Sequence, residues 1–258
     1  MIKAVFFDVD GTLLSHTIKR IPQDTVKALH ELKARGVKIF LATGRHSTEL
    51  RELPVNVADF DGYVTLNGQL CLDETGKIAH GDPFGEPVVQ KLVSVFREKK
   101  YPLAFVEAER FYINYVDDVV REAQRSISTP VPETGTYEGG EIYQAIVFLT
   151  REEEAGFRSQ LPEECRFTRW CDGGVDIISD QGGKTEGIKY FCDQYDISRE
   201  EIMAFGDAEN DIDMLRYAGI GVAMGNAEDT VRKCADYVTD SVDDGGIRNA
   251  LKHFQVLN

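Results

Sequence analysis

Residues 2–12, Ile-Lys-Ala-Val-Phe-Phe-Asp-Val-Asp-Gly-Thr, decide the fold. Residues 2–7 are a mostly apolar run with β-branched and aromatic members, and the run stops abruptly at Asp8-Val9-Asp10-Gly11, so it reads as a buried strand followed by a turn. A strand buried on two sides implies a parallel sheet. Downstream, Val26, Leu29 and Leu32 recur at helical spacing in a segment closed by Gly36, and residues 37–42 form a second buried-strand run ending in Thr43-Gly44-Arg45. Strand, helix and strand make a βαβ unit. A third short strand is expected at 63–66, stopped by the tight-turn pair Asn67-Gly68.

From residue 82 to residue 181 the texture changes. Helical segments at 88–99 and 117–126 mix with aromatic-rich strand candidates at 105–114, 142–150, 166–170 and 175–179, whose alternation suits an antiparallel sheet with one face covered. About a hundred residues is near the usual size of an independent domain, so this stretch is expected to be an inserted α+β domain. After Gly182-Gly183 the αβ rhythm resumes, with a helix at 186–194, a strand at 202–205, a helix at 210–217, a strand at 220–223, a further helix and a short strand at 237–239. The expected organisation is an α/β parallel-sheet core of residues 1–81 and 182–258 carrying an inserted cap of residues 82–181.

Bulk properties narrow the function. The chain has 258 residues, with 29 Lys plus Arg against 44 Asp plus Glu, a net charge of −15. Such a surface repels a nucleic-acid backbone and an anionic membrane, so a small-molecule partner is expected. Five cysteines without a CxxC pair suggest reduced thiols. No stretch approaches the roughly 20 apolar residues of a membrane span, and the N-terminus lacks the basic flank and cleavage-like segment of a signal peptide. A cytoplasmic enzyme fits these features.

In an open parallel sheet, ligands bind beyond the carboxyl ends of the strands. Four expected strands end in polar, glycine-containing clusters: Asp8-Val9-Asp10-Gly11-Thr12, Thr43-Gly44-Arg45, Asn67-Gly68, and Gly206-Asp207-Ala208-Glu209-Asn210-Asp211. Carboxylates, a hydroxyl and flexible backbone converging on one rim are what metal-assisted phosphoryl transfer requires, because oxygen ligands suit Mg²⁺ and backbone N–H groups cradle phosphate. A lone Asp-x-Asp-Gly is most often a turn, and a calcium loop is excluded because the third ligand and the Glu at its twelfth position are missing after Asp8.

In this combination and order the sequence resembles the haloacid dehalogenase (HAD) superfamily, in the branch of Cof-type sugar-phosphate phosphatases with a large cap between the second and third motifs. The similarity covers essentially the full chain: residues 8–12 match the first motif, Thr43 the second, Lys184 the third, and residues 206–211 the fourth. The resemblance implies a Rossmann-like core and Mg²⁺ as cofactor. It makes Asp8 the nucleophile and Asp10 the general acid and base, with Thr43, Gly44, Lys184 and Asn210 on the substrate phosphate. The metal would be held by Asp8, Asp10 (through its main-chain carbonyl) and Asp207, with Asp211 near it through water or through Asn210. The substrate would be a small phosphorylated metabolite, and the cap would act as a lid. Phosphomutases of the phosphomannomutase type share these motifs, and a non-catalytic sugar-phosphate sensor on the same fold is a third possibility. The sensor predicts loss of a catalytic carboxylate, whereas Asp8, Asp10 and Asp207 are all present with Lys184.

Other residues are assigned more locally. Arg45 is expected either to salt-bridge locally or to face the site, with the structural role favoured, while Asn67-Gly68 is divided evenly between a plain turn and a substrate loop. Glu209 and Asp213 complement a helix N-terminus. His16, His30 and His46 are read as surface imidazoles, lacking paired metal spacing. In the cap, Arg169, Trp170, Asp172 and Asp176 are candidates to grip sugar hydroxyls, with Trp170 favoured to pack on the cap sheet instead.

Overall fold

The computed structural model describes residues 1–50, 60–126 and 129–258. It divides into two compact units, one of Met1–His80 with Gly183–Asn258 and one of Gly81–Gly182.

The first unit is built on β1 (Ala4–Phe7), whose four side chains are all buried. Parallel partners flank it: β2 (Lys38–Ala42) on one side and β11 (Ile202–Gly206) on the other. Both faces of β1 carry aromatic stacks, Phe6 on Phe40 at 4.7 Å and Phe7 on Phe205 at 5.2 Å, which is how a strand with no polar face finds partners. β3 (Gly62–Thr65) extends the parallel set beyond β2, and β12 (Ile220–Ala223) and β13 (Tyr237–Val238) extend it beyond β11. Among the described residues the sheet has eight strands, completed by β4 (Leu70–Asp73), antiparallel to β3, and β5 (Ile78–Gly81). Sequence reasoning missed β4 and β5, which are short and separated by a turn built on Asp73. Its Oδ1 accepts from the backbone N–H groups of Thr75 and Lys77.

Helix α1 (Gln23–Ala34) leads from β1 to β2 and stops at Gly36, which has φ +77°. Helix α6 (Lys184–Tyr195) approaches the sheet closely at Gly187, where a Cβ would stand 2.4 Å from Val64 Cγ1. A turn of 3₁₀ helix at Glu209–Asp211 leads into α7 (Ile212–Tyr217). The helix α8 (Asp229–Arg232) and α9 (Gly246–His253) complete this unit.

The second unit contains, among the described residues, a five-stranded antiparallel sheet in the order β7-β6-β8-β10-β9. These strands are β6 (Leu103–Val106), β7 (Phe111–Ile113), β8 (Gln144–Phe148), β9 (Cys165–Arg169) and β10 (Gly174–Ser179). The single strand expected at 105–114 is a hairpin instead, because Glu107-Ala108-Glu109-Arg110 turns the chain, with Glu107 N donating to Arg110 O at 2.8 Å. The expectation of one covered face is also corrected. Leu103, Phe105, Val147 and Val175 form one core with α3 (Glu86–Glu98) and Phe157 of α5 (Arg151–Arg158). Ala104, Ile113 and Phe148 form a second, smaller core with Val120 and Ala123 of α4 (Asp118–Ser126). Alternate residues along β6 serve opposite faces, and both faces are apolar.

Candidate active site

The parallel strands β1, β2, β3 and β11 run the same way, so their carboxyl ends share one rim. That rim brings together the residues singled out by sequence. Asp8 follows β1 and is 5% exposed, Lys184 opens α6 and is 1% exposed, and Asp211 closes the 3₁₀ turn and is fully buried. The Lys184 ammonium donates to Asp8 Oδ1 and to Asp211 Oδ1, each at 2.6 Å. Such a pair leaves a buried lysine charged: burial works against the charge, and Asp211 and Asp8 more than offset it, so the Lys184 pKa ends above the ordinary lysine value.

Asp207, just past β11, completes an acidic trio. Asp8, Asp207 and Asp211 each offer a carboxylate oxygen within 4.8 Å of the others. Three carboxylates stand beside one ammonium, and the excess shows in Asp207 and Asp8. Burial first, then the charge of Asp211, pushes Asp207 up to about 7, and burial followed by Asp211 raises Asp8 well above the usual carboxylate range against the pull of Lys184. A divalent cation would reverse that strain, and an all-oxygen donor set suits Mg²⁺. The trio fits the metal.

The members of the trio are not equivalent. Asp211 Oδ1 is held by Lys184, and its Oδ2 accepts the backbone N–H groups of Asp207 and Ala208, both at 2.9 Å. Its carboxylate therefore organises the loop that carries Asp207. Asp207 is oriented in turn by Thr12, whose hydroxyl donates to Oδ1 at 2.9 Å, and by Asn226, whose amide donates to Oδ2 at 3.2 Å. Gly11, at φ +85°, is required here, since a Cβ would lie 2.2 Å from Asp207 Oδ2.

Asp10 stands outside the trio. Its carboxylate is 34% exposed and takes two bonds from the Arg45 guanidinium, from Nε to Oδ2 at 2.7 Å and from the second terminal nitrogen to Oδ1 at 2.8 Å. The local ion pair expected of Arg45 thus exists, but its partner is a motif carboxylate, so Arg45 belongs to the site. Thr43 is buried, and its hydroxyl accepts the Arg45 backbone N–H at 3.1 Å, which leaves the hydroxyl proton to donate elsewhere. Gly44 does not open a helix: α2 (Ser47–Leu50) begins three residues later. A Cβ on Gly44 would meet Asn67 Oδ1 at 3.0 Å.

Asn67 and Asn210, on separate loops, are joined by a 2.9 Å bond from Asn210 Nδ2 to Asn67 Oδ1. Asn67 is buried, with φ +54°, and its bond to Asn210 sets the loop after β3 on this rim. His46 is also buried, contrary to the surface reading, while His16 and His30 are exposed. Asn226 was missed altogether. It also donates to Gly11 O at 2.8 Å and accepts from Val242 N at 3.0 Å. The rule that found the other clusters would have found it, because Met224-Gly225-Asn226 is the polar, glycine-containing end of β12.

In the second unit, Arg169 is committed internally. It donates to the Glu154 carboxylate at 2.9 Å from Nε and to the carbonyls of Leu149, Cys171 and Asp172, which leaves it no role as a free sugar-binding cation. Trp170 packs edge-on to Phe148 at 6.2 Å, as favoured. No helix of the described residues is long and apolar enough to cross a membrane.

Known proteins share both sequence and architecture with this chain. The family model for haloacid dehalogenase-like hydrolases matches residues 5–251. YkrA of Bacillus subtilis (strain 168) is 34% identical over 99% of this chain and 98% of its own length. The structure of BT1666 from Bacteroides thetaiotaomicron, a phosphatase of the HAD superfamily, superposes with a TM-score of 0.89 at 35% identity, covering 100% of this chain and 96% of that one. BT4131, a sugar phosphatase of HAD subclass IIB, gives 0.85 at 35% identity, covering 99% of this chain and 100% of that one. The chain therefore belongs to the haloacid dehalogenase-like hydrolases, as a phosphatase of the superfamily's capped, Cof-type branch.

Proposed function

We propose that the chain hydrolyses small phosphate monoesters, sugar phosphates foremost, with Mg²⁺ and through an aspartyl-phosphate on Asp8. The observation that carries this reading is the buried Lys184 bridging Asp8 and Asp211 beside Asp207, an arrangement with more negative charge than its own cation balances. The sugar-phosphate class rests on the likeness to BT4131. Bound Mg²⁺ would be held by Asp8, Asp207 and the Asp10 carbonyl, with Asp211 behind them, and would neutralise charge between carboxylate and phosphate.

Asp8 attacks phosphorus with the oxygen that Lys184 does not hold. The bond from phosphorus to the ester oxygen breaks, and Asp10 gives its proton to the departing alkoxide. Asp10 then takes a proton from water, which attacks the same phosphorus. The bond to Asp8 breaks, and the carboxylate is restored with release of inorganic phosphate. Lys184 offsets the repulsion between Asp8 and the incoming phosphate, and the Thr43 hydroxyl donates to a phosphate oxygen. The inserted unit sets specificity, and the enzyme works in the cytoplasm on a phosphorylated metabolite.

Rapid-quench intact mass spectrometry with a nitrophenyl phosphate tests the covalent step. That leaving group needs no proton, so Asp10→Asn is expected to accumulate a phosphoryl adduct on Asp8, and Asp8→Asn none. An adduct on another residue overturns the mechanism. Turnover is expected to vanish in excess EDTA and return with Mg²⁺, and undiminished turnover in chelator would remove the metal from it.

A further inference from the structure

Arg45 is a site residue to which the proposed chemistry gives no role, and its geometry is specific. Asp10 follows β1 and Arg45 follows the adjacent parallel strand β2, so sheet order, not sequence proximity, sets them side by side. The guanidinium meets the carboxylate with two parallel bonds of 2.7 and 2.8 Å, the fork-to-fork arrangement that fixes direction as well as distance. Arg45 is itself pinned through its backbone: its N–H donates to the Thr43 hydroxyl at 3.1 Å, and its carbonyl accepts from Leu66 N at 3.3 Å. Asp10, by contrast, is about one-third exposed, has two rotatable side-chain bonds, and lies two residues beyond Asp8 of the acidic trio, whose charges repel it. A carboxylate so placed needs an external hold to keep one orientation.

Resting on the assignment of Asp10 as acid and base, we propose that Arg45 is a positioning residue for that group. Its two-point grip takes one lone pair on each Asp10 oxygen and leaves the outer lone pair of each free, so that the proton given to the leaving oxygen, and later taken from water, is carried there in a single orientation. Arg45 then acts through Asp10 and not on the phosphate. The consequence is a loss that depends on the leaving group. Removing the grip slows steps that need a positioned proton and spares the attack by Asp8 on an ester whose leaving group needs none.

The test compares Arg45→Gln and Arg45→Lys with Asp10→Asn on an alkyl phosphate, such as a hexose 6-phosphate, and on 4-nitrophenyl phosphate. Single-turnover formation of the phosphoryl-enzyme and steady-state turnover are both followed, and thermal melts of every variant confirm folding. Arg45→Gln is expected to lose about 10²-fold in kcat on the alkyl ester, the cost of a misplaced catalytic group. It is expected to change less than about 3-fold in the rate of phosphoryl-enzyme formation from the aryl ester, while accumulating that species because its hydrolysis still needs Asp10. Arg45→Lys, a point charge without the fork, is expected to fall between Arg45→Gln and wild type. Arg45→Gln combined with Asp10→Asn is expected to be no worse than Asp10→Asn alone, because the two act as one unit. Equal losses on both esters, or a rise in KM alone, overturn the proposal in favour of a phosphate contact. Full activity in Arg45→Gln overturns it outright. If Asp10→Asn itself shows no dependence on the leaving group, the assignment of Asp10 has failed; if Asp10→Asn shows it and Arg45→Gln does not, only the role of Arg45 has.

Discussion

In the core unit, the Lys184 ammonium is fully buried between Asp8 and Asp211, with Asp207 alongside, so one cation faces three carboxylates. In the inserted unit, Glu154 is held by two cations, Arg158 and Arg169, and the other Arg169 donors go to backbone carbonyls. Both networks carry unequal charge, yet they differ in where the surplus lies. The core cluster places more carboxylates than cations in a buried place, which makes Asp8 and Asp207 hold protons more tightly and favours a bound cation. The Glu154 cluster closes on itself and ties α5 to β9 and to the loop after it. An ionic network marks chemistry when its leftover charge is buried, as at Asp8 and Asp211, and architecture when its surplus lies in solvent, as at the 45% exposed Arg158.

The sharpest way to break this comparison is Lys184→Met, which removes the cation and leaves Asp8 and Asp211 buried without it. A loss of about 3–5 kcal/mol of stability is expected in urea melts, together with loss of phosphatase activity. Asp8→Asn, which relieves repulsion within the trio, is expected to leave stability unchanged or raised while abolishing turnover, and a destabilised Asp8→Asn protein would mean that the excess charge is illusory. Arg169→Met is expected to cost about 1–3 kcal/mol by stranding Glu154 and several carbonyls. Trp170, the chain's one tryptophan, lies in the same unit and reports its unfolding by fluorescence. Turnover of a small aryl phosphate should hold in that variant under conditions where it remains folded.

Asn226→Ala probes the support of Asp207 and is expected to weaken Mg²⁺ or Mn²⁺ binding by about tenfold in calorimetry, the usual cost of losing a group that orients a ligand. Unchanged metal affinity would assign Asn226 to loop structure alone. The smallest expected effect concerns acid. Arg169 and Arg158 hold Glu154 below its ordinary pKa of 4.5, although burial pushes the other way. A lowered folded-state pKa stabilises above the unfolded value, and that stabilisation is lost as pH falls through the folded one. The difference in Trp170-detected stability between wild type and Glu154→Gln should therefore be constant above pH 5 and shrink below about pH 4.5. A difference that grows on acidification would contradict the pairing.

How much of this was legible in sequence depends on the range of the interaction. The strands ending at Phe7, Ala42 and Gly206 announce themselves because a run apolar on both faces, stopped by Asp-Gly or Thr-Gly, is a local signal, and the polar residues after each run follow from it. The hairpin at 107–110 and the second apolar face of the inserted sheet were misread because alternation along one strand does not say what covers each face. His46 was misread for the same reason, since nothing around one imidazole in a sequence reports its burial.

Sequence alone determined that carboxylates and a threonine stand at the ends of buried parallel strands and that a lysine follows Gly183 just ahead of a helix, because periodicity and turn chemistry are properties of neighbours in the chain. The tertiary structure decided which of them meet. Arg45 reaches Asp10 across 35 residues, Lys184 reaches Asp8 across 176, and Asn226 reaches Gly11 across 215. Those separations close only because the sheet order sets β1 between β2 and β11, with β12 next to β11, and that order comes from packing both faces of the whole sheet, which no single segment encodes.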